Sequence, residues 1–159
     1  MDDRAAALEA LYRRRYGAFL RTLSVVTGSY DAAHDAVQES FARALRARET
    51  LRSDEALESW LWRIALRTAA ERRTESHARL NGSEPDAMFV QPERDVFLAE
   101  AVRSLPPRRR LIVFLRYFAD LTYAEIAAIM GVTEGAVAAT LAQAHEALRV
   151  SLEREGVER

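Results

Sequence analysis

Four arginines recur along one stretch of this 159-residue chain: Arg63, Arg67, Arg72 and Arg73, in ESWLWRIALRTAAERR at 58–73. Guanidinium groups at helical spacing can follow a phosphate backbone, and aromatics between them can stack an unpaired base. The same pattern also serves a solvated arginine face above two core tryptophans, and Trp60 reads as core. A second constellation is acidic. Asp35, Gln38 and Glu39 stand beside His34 in DAAHDAVQESFARAL, 31–45. Asp35 and Glu39 are four apart, so their carboxylates share one side of a helix. Like charges at that spacing do not help an isolated helix. A basic partner surface would account for them, and so would solubility. As an acid–base pair they have no evident pocket.

Other chemistry is missing. His34, His77 and His145 are far apart and none lies at a metal-ligand spacing. Cysteine is absent, which removes disulfides and thiolate metal sites. The chain has no glycine-rich phosphate loop and no G-x-S-x-G nucleophile turn. The expectation is a non-enzyme with no catalytic residue, cofactor or metal site.

The stretch that organises the chain is LTYAEIAAIMGVTEGAVAATLAQAHEALRV, 121–150. Thr122 with Glu125 makes a capping box for one helix. Ile126, Ala127 and Met130 give that helix an apolar face. Gly131 stops it, since glycine takes a left-handed backbone at no steric cost. Thr133 caps a second helix, whose buried stripe is Val137, Leu141 and Leu148. The pattern predicts a helix-turn-helix, with a second helix shaped for a DNA major groove; a hairpin in a bundle core is the plainer alternative.

Helical spacing predicts the elements that hold these groups. The first helix covers 4–27, with Leu8, Leu11, Tyr12, Tyr16, Phe19, Leu20 and Leu23 on one face and Gly28 as its stop. Arg13, Arg14 and Arg15 on it read as a solvated run. Asp31 is the expected cap of the second helix, with Val37, Phe41, Ala44 and Leu45 inward. RARETLRS, 46–53, reads as a loop. A third helix starts near Asp54, with Leu57, Trp60, Leu61, Ile64 and Ala65 as its apolar stripe and Trp62 off it. NGSEPDAMFVQP, 81–92, reads as linker with one apolar island at Met88, Phe89 and Val90. A helix over 94–104 follows. Pro106 and Pro107 break it, and Pro107 opens the next, which buries Leu111, Ile112, Phe114, Leu115 and Phe118. The last helix frays beyond Glu155.

Composition bounds the class. Hydrophobic residues are 49% and charged residues 30%, as in a soluble globular protein. No apolar run is long enough to span a bilayer, and the first fifteen residues lack a signal peptide's apolar core. A cytoplasmic location is expected. All 23 basic residues are arginine, yet net charge is −1. Binding DNA therefore requires arginines concentrated locally or charge borrowed from a partner.

Three of these stretches, in order, resemble a bacterial RNA polymerase sigma factor of the extracytoplasmic-function class over nearly the whole chain. Residues 31–45 are similar to the family's polymerase-clamp helix. Residues 58–73 resemble its promoter-melting and minus-ten segment. LPPRRRLIVFLRYFADLTYAEIAAIMGVTEGAV, 105–137, resembles its minus-thirty-five domain. The resemblance implies an all-α protein of two small helical domains joined by a flexible linker: a region 2-like domain over 1–80, linker 81–94, and a region 4-like helix-turn-helix domain over 95–159. It implies a subunit that directs core polymerase to promoters and assists their melting. Its partners would be the largest-subunit clamp helices, the beta flap, promoter DNA and an anti-sigma factor.

By the same resemblance, Asp35, Gln38 and Glu39 bind the basic coiled coil of polymerase, and the loop between Arg46 and Leu57 captures a flipped promoter base. The implied DNA-contact set is Arg63, Arg67, Arg72, Arg73, Arg116, Tyr123, Thr133, Glu134, Ala139, Thr140 and Gln143. The chain departs from the family in places. His34 replaces the usual acid, Arg67 the usual asparagine and Glu71 the usual aspartate. Where the family commonly reads like GTVKSRLHRAR, this chain reads GAVAATLAQAH, 135–145, and Arg149 is the one arginine between Thr133 and Val150. That loss keeps a second reading open, a sigma-like interaction regulator that binds polymerase or a partner but has lost most promoter recognition.

Overall fold

The computed structural model describes residues 2–79 and 96–157, and all regular structure in them is helical. The chain divides into two compact units, Met1–Asp86 and Ala87–Arg159.

The first unit packs α1 (Asp3–Thr27), α2 (Tyr30–Ala47) and α3 (Leu57–Arg79) against one another. Asp2 caps α1, and Gly28 ends it at φ 78° with its N–H on the Ser24 carbonyl. Leu8, Leu11, Phe19 and Leu23 from α1 meet Ala33, Ala36, Val37 and Phe41 from α2, all buried. α3 contributes Leu61, Trp62, Ala65 and Ala69. The alanines let the helix backbones approach closely. Phe19 stacks on the Trp62 ring with centroids 3.8 Å apart, and meets Phe41 edge-on. Ser24, Ser40 and Thr68, buried on the three helices, each return a hydroxyl hydrogen bond to the carbonyl four residues back.

Four expectations need correction here. Trp62, not Trp60, is the core tryptophan: it is fully buried, whereas Trp60 is half-buried. The cap of α2 is Ser29, whose hydroxyl accepts from the Ala32 N–H at 3.0 Å. Asp31 lies in the first turn, where its charge favours the helix's positive end. Leu45 is 41% exposed, because it falls at the edge of the stripe of Ala33, Ala36, Val37, Ser40, Phe41 and Ala44 that α2 buries. The stretch read as loop is mostly helical: α2 runs to Ala47, and 3-10 turns follow at Arg48–Thr50 and Asp54–Ala56.

In the second unit α7 (Glu134–Val157) is the spine, packed by α4 (Val96–Ser104), α5 (Pro107–Tyr117) and α6 (Tyr123–Met130). Pro107 occupies the first turn of α5. Both hydrogen bonds of the Thr122–Glu125 capping box are made. Gly131 ends α6 at φ 67°, and the Thr133 hydroxyl accepts from the Ala136 N–H at 3.0 Å to start α7. Ile112, Leu115, Leu121, Ile126, Val137, Leu141 and Ala144 form the core. The bend between α6 and α7 is 103°, within the range of a helix-turn-helix. No single described helix is long and apolar enough to cross a membrane. α7 continues to Val157, past the expected fraying at Glu155. The expected linker and its island at Met88, Phe89 and Val90 lie outside the described residues.

Candidate polymerase and nucleic-acid interfaces

The acidic constellation lies on the outer side of α2. Asp35 and Gln38 are exposed and Glu39 is half-buried. Glu39 accepts from Arg43 at 2.9 Å and lies 3.4 Å from Arg46. The Arg43 hydrogen bond holds its carboxyl below the usual carboxylate range, and Arg46 and Arg72 add to the effect. Arg43 is the hub the sequence reading missed. It also reaches Glu71 of α3 at 2.7 Å and the Thr68 hydroxyl at 3.3 Å. The Glu39–Arg43 half was legible, since an acid four residues before a cation is the favourable helical order. The Glu71 half depends on how α3 packs and left no local mark. Asp35 lies 3.9 Å from Arg72 and from the His34 ring. One residue expected at polymerase and one expected at DNA are therefore neighbours.

Along α3, Arg63, Arg67 and Arg73 are exposed and Arg72 is half-buried. Trp60, Arg63 and Arg67 fall at i, i+3 and i+7, on one helical face. With Trp62 committed to the core, Trp60 is the aromatic that accompanies the arginines. Between α2 and α3, Leu51 is the buried anchor of the 46–57 segment, and Arg52, Ser53, Asp54, Glu55 and Ala56 are exposed.

The helix-turn-helix surface is different in kind. Glu134, Ala138, Ala139, Ala142 and Gln143 are exposed on α7, while Val137, Leu141 and Ala144 are buried. Thr133 and Thr140 spend their hydroxyls within the helix, Thr140 on the Ala136 carbonyl at 2.8 Å. Arg149 is held by Glu146 and Glu153, each at 2.6 Å, and both carboxylates keep the guanidinium firmly charged. Its charge is thus balanced on its own helix. His145 pairs through Nε2 with the exposed Tyr117 hydroxyl of α5 at 2.5 Å. On the flank, Arg116 donates to the Leu121 carbonyl at 3.4 Å and lies over the exposed Tyr123 ring at 5.8 Å. Arg108 is exposed, but Arg110 turns inward to the Leu105 carbonyl, and burial pushes its pKa down. Among the described residues no group of His, Cys, Asp and Glu is arranged to hold a metal.

The chain matches the family model Sigma-70 region 2 over residues 10–78 and Sigma-70, region 4 over 98–148. The RNA polymerase sigma factor SigV of Bacillus subtilis is 34% identical, covering 86% of each chain. The ECF RNA polymerase sigma-E factor of Salmonella typhimurium is 33% identical over 72% of this chain and 70% of its own. Two solved structures share the fold at 20% identity. CnrH in complex with the cytosolic domain of CnrY aligns with a TM-score of 0.70 over 94% of this chain and 89% of that one. The sigma factor RpoE with the anti-sigma factor NepR from Bartonella quintana aligns at 0.67 over 84% and 89%.

Proposed function

The chain belongs to the extracytoplasmic-function class of bacterial RNA polymerase sigma factors, and from that membership we propose a division of labour in which the first unit does most of the promoter work. A sigma factor gives core polymerase its promoter choice in transcription initiation. In this chain Asp35, Gln38 and Glu39 dock on the basic clamp helices of the largest subunit. The segment between Arg46 and Leu57 takes a flipped promoter base, at an unstacking cost of a few kcal/mol that a single-strand pocket recovers. Arg63, Arg67, Arg72 and Arg73 follow the DNA backbone.

The second unit, with Arg116, Tyr123, Thr133, Glu134, Ala139, Thr140 and Gln143 toward DNA, holds the minus-thirty-five region weakly and leans on the beta flap. The observation that carries this reading is the contrast between the exposed arginines of α3 and an α7 that has no arginine before Arg149, which is paired twice on its own helix. The protein acts in the cytoplasm, where its polymerase is, as a non-catalytic subunit. An anti-sigma factor, of the kind that NepR is for the RpoE neighbour, is a further partner.

The test is run-off transcription with core polymerase on genomic fragments, with and without this protein. Specific transcripts that depend on α3 arginines and tolerate further truncation of Gln143 support the reading. Polymerase binding without any transcript would favour the interaction-regulator alternative, which the bare α7 surface motivates.

A further inference from the structure

The segment between α2 and α3 is tied down from a distant part of the chain. Arg4, in the first turn of α1, donates from Nε to the Asp54 carboxylate and from Nη1 to the Arg48 carbonyl, both at 2.9 Å. One guanidinium thus joins the first 3-10 turn to the second. Its side chain is only 26% exposed. Asp2 adds a second tie. One carboxylate oxygen caps α1 on the Arg4 N–H at 3.2 Å, and the other accepts from Arg48 Nε at 2.6 Å. Those two bonds hold the Asp2 carboxyl below its usual range. Arg48 in turn donates to the Leu45 carbonyl at the end of α2, and Thr50 to the Ala47 carbonyl.

Both ends of the segment are therefore fixed, at Arg48 and at Asp54. Between them lie Glu49, Thr50, Arg52 and Ser53, all exposed, over buried Leu51. A surface ion pair of this kind contributes little to global stability. Its geometric effect is larger, because a loop presents a ligand pocket only as well as its supports hold it.

We propose that Arg4, seconded by Asp2, is a positioning residue that sets the shape of the 49–53 span for an unpaired promoter base. The inference rests on the reading that this span captures such a base. Arg4 need not touch DNA. It acts by bridging Arg48 and Asp54, so that Thr50, Arg52 and Ser53 keep one arrangement when the base arrives.

The experiment uses holoenzyme reconstituted from core polymerase and the full chain. Forked promoter probes carry each of the four bases in turn at the unpaired minus-ten positions. Affinity, base discrimination and core binding are measured for wild type, Arg4→Ala, Asp54→Ala, the exchange Arg4→Asp with Asp54→Arg, and the span variant Thr50→Ala with Arg52→Ala. Arg4→Ala and Asp54→Ala should each lose about ten-fold in base discrimination, the scale on which a slightly misplaced binding group acts. Core affinity and melting temperature should stay at wild-type values, and the exchanged pair should regain only the part of the discrimination carried by the link between positions 4 and 54, because an aspartate at position 4 cannot donate to the Arg48 carbonyl. If the span variant keeps wild-type discrimination, the base-capture reading falls and the inference falls with it. If the span variant loses discrimination while Arg4→Ala and Asp54→Ala keep it, the inference alone is overturned. The same holds if discrimination falls only in step with core affinity.

Discussion

Restoring charge to α7 should change how the protein's DNA affinity responds to salt, by an amount the structure allows to be worked out. Ala139 and Ala142 are exposed, three residues apart, opposite the buried Val137, Leu141 and Ala144. Neither side chain touches the core, so arginine at both should fold normally. Each arginine that reaches a phosphate releases counterions and steepens the log–log salt slope by about 0.9. The wild-type second unit has Arg108, Arg109 and Arg116 of α5 as candidate phosphate contacts, with Arg110 turned inward and Arg149 paired. Three such contacts give a slope of about −2.7, or about a forty-fold loss of affinity between 50 and 200 mM salt. Ala139→Arg with Ala142→Arg should add two more, for a slope about 1.8 steeper and a loss of about 500-fold over the same range. The assay is fluorescence anisotropy of the full-length protein on a labelled minus-thirty-five duplex. Contacts from the first unit are common to both proteins, so the difference of slopes is the diagnostic quantity. An unchanged slope would refute the reasoning, because it would mean α7 does not present that face to DNA.

Three other outcomes follow from particular contacts. Asp35→Ala with Glu39→Ala should weaken core-polymerase binding at least about thirty-fold in a pull-down titration while circular dichroism stays helical, since Arg43 retains Glu71; undiminished binding would remove α2 from the docking surface. Gly131→Ala should lower stability by about 1 kcal/mol in thermal unfolding, because a Cβ there meets open space and only the backbone at φ 67° is strained. For pH, the Glu39 carboxyl is held below its ordinary 4.5, so the folded state sheds that proton more readily than the unfolded state. Its stabilisation is present above about pH 4.5 and is lost as pH falls through the lower folded value. The melting temperature of wild type should thus exceed that of Glu39→Gln at neutral pH, and the gap should close on acidification below that point. Asp2 and Glu146 are depressed as well, so it is the gap between the two proteins that reports on Glu39.

Local signals carried the helix-turn-helix. A capping box, a left-handed glycine and a threonine cap are each set by neighbours a few residues away, and all three stand where the spacing put them. α3 was harder to read. Among its described side chains Leu61, Trp62, Ala65, Thr68 and Ala69 are buried, a broad face that meets both α1 and α2. A polar Thr68 inside that face and a half-exposed Trp60 beside it disguise the period, so helical spacing alone points to Trp60 where the packing buries Trp62. The cap of α2 is ambiguous in sequence because Ser29 and Asp31 are both good caps. The choice was made by Gly28, whose left-handed turn delivers Ser29 in extended conformation. The ties from Arg4 to Asp54 and from Arg43 to Glu71 join residues 50 and 28 positions apart, and no periodicity encodes them.

The stack of Phe19 on Trp62 also decides what light can report about this protein. Both tryptophans of the chain lie in α3, one dry against Phe19 and one half in water beside Arg63 and Arg67. The second unit contains none. Intrinsic tryptophan emission therefore follows the first unit alone: a red shift marks the opening of its core, and quenching of the wetter indole marks a ligand arriving on the arginine face. A comparison of tryptophan emission with far-ultraviolet dichroism would thus separate the melting of the two units in a single unlabelled sample.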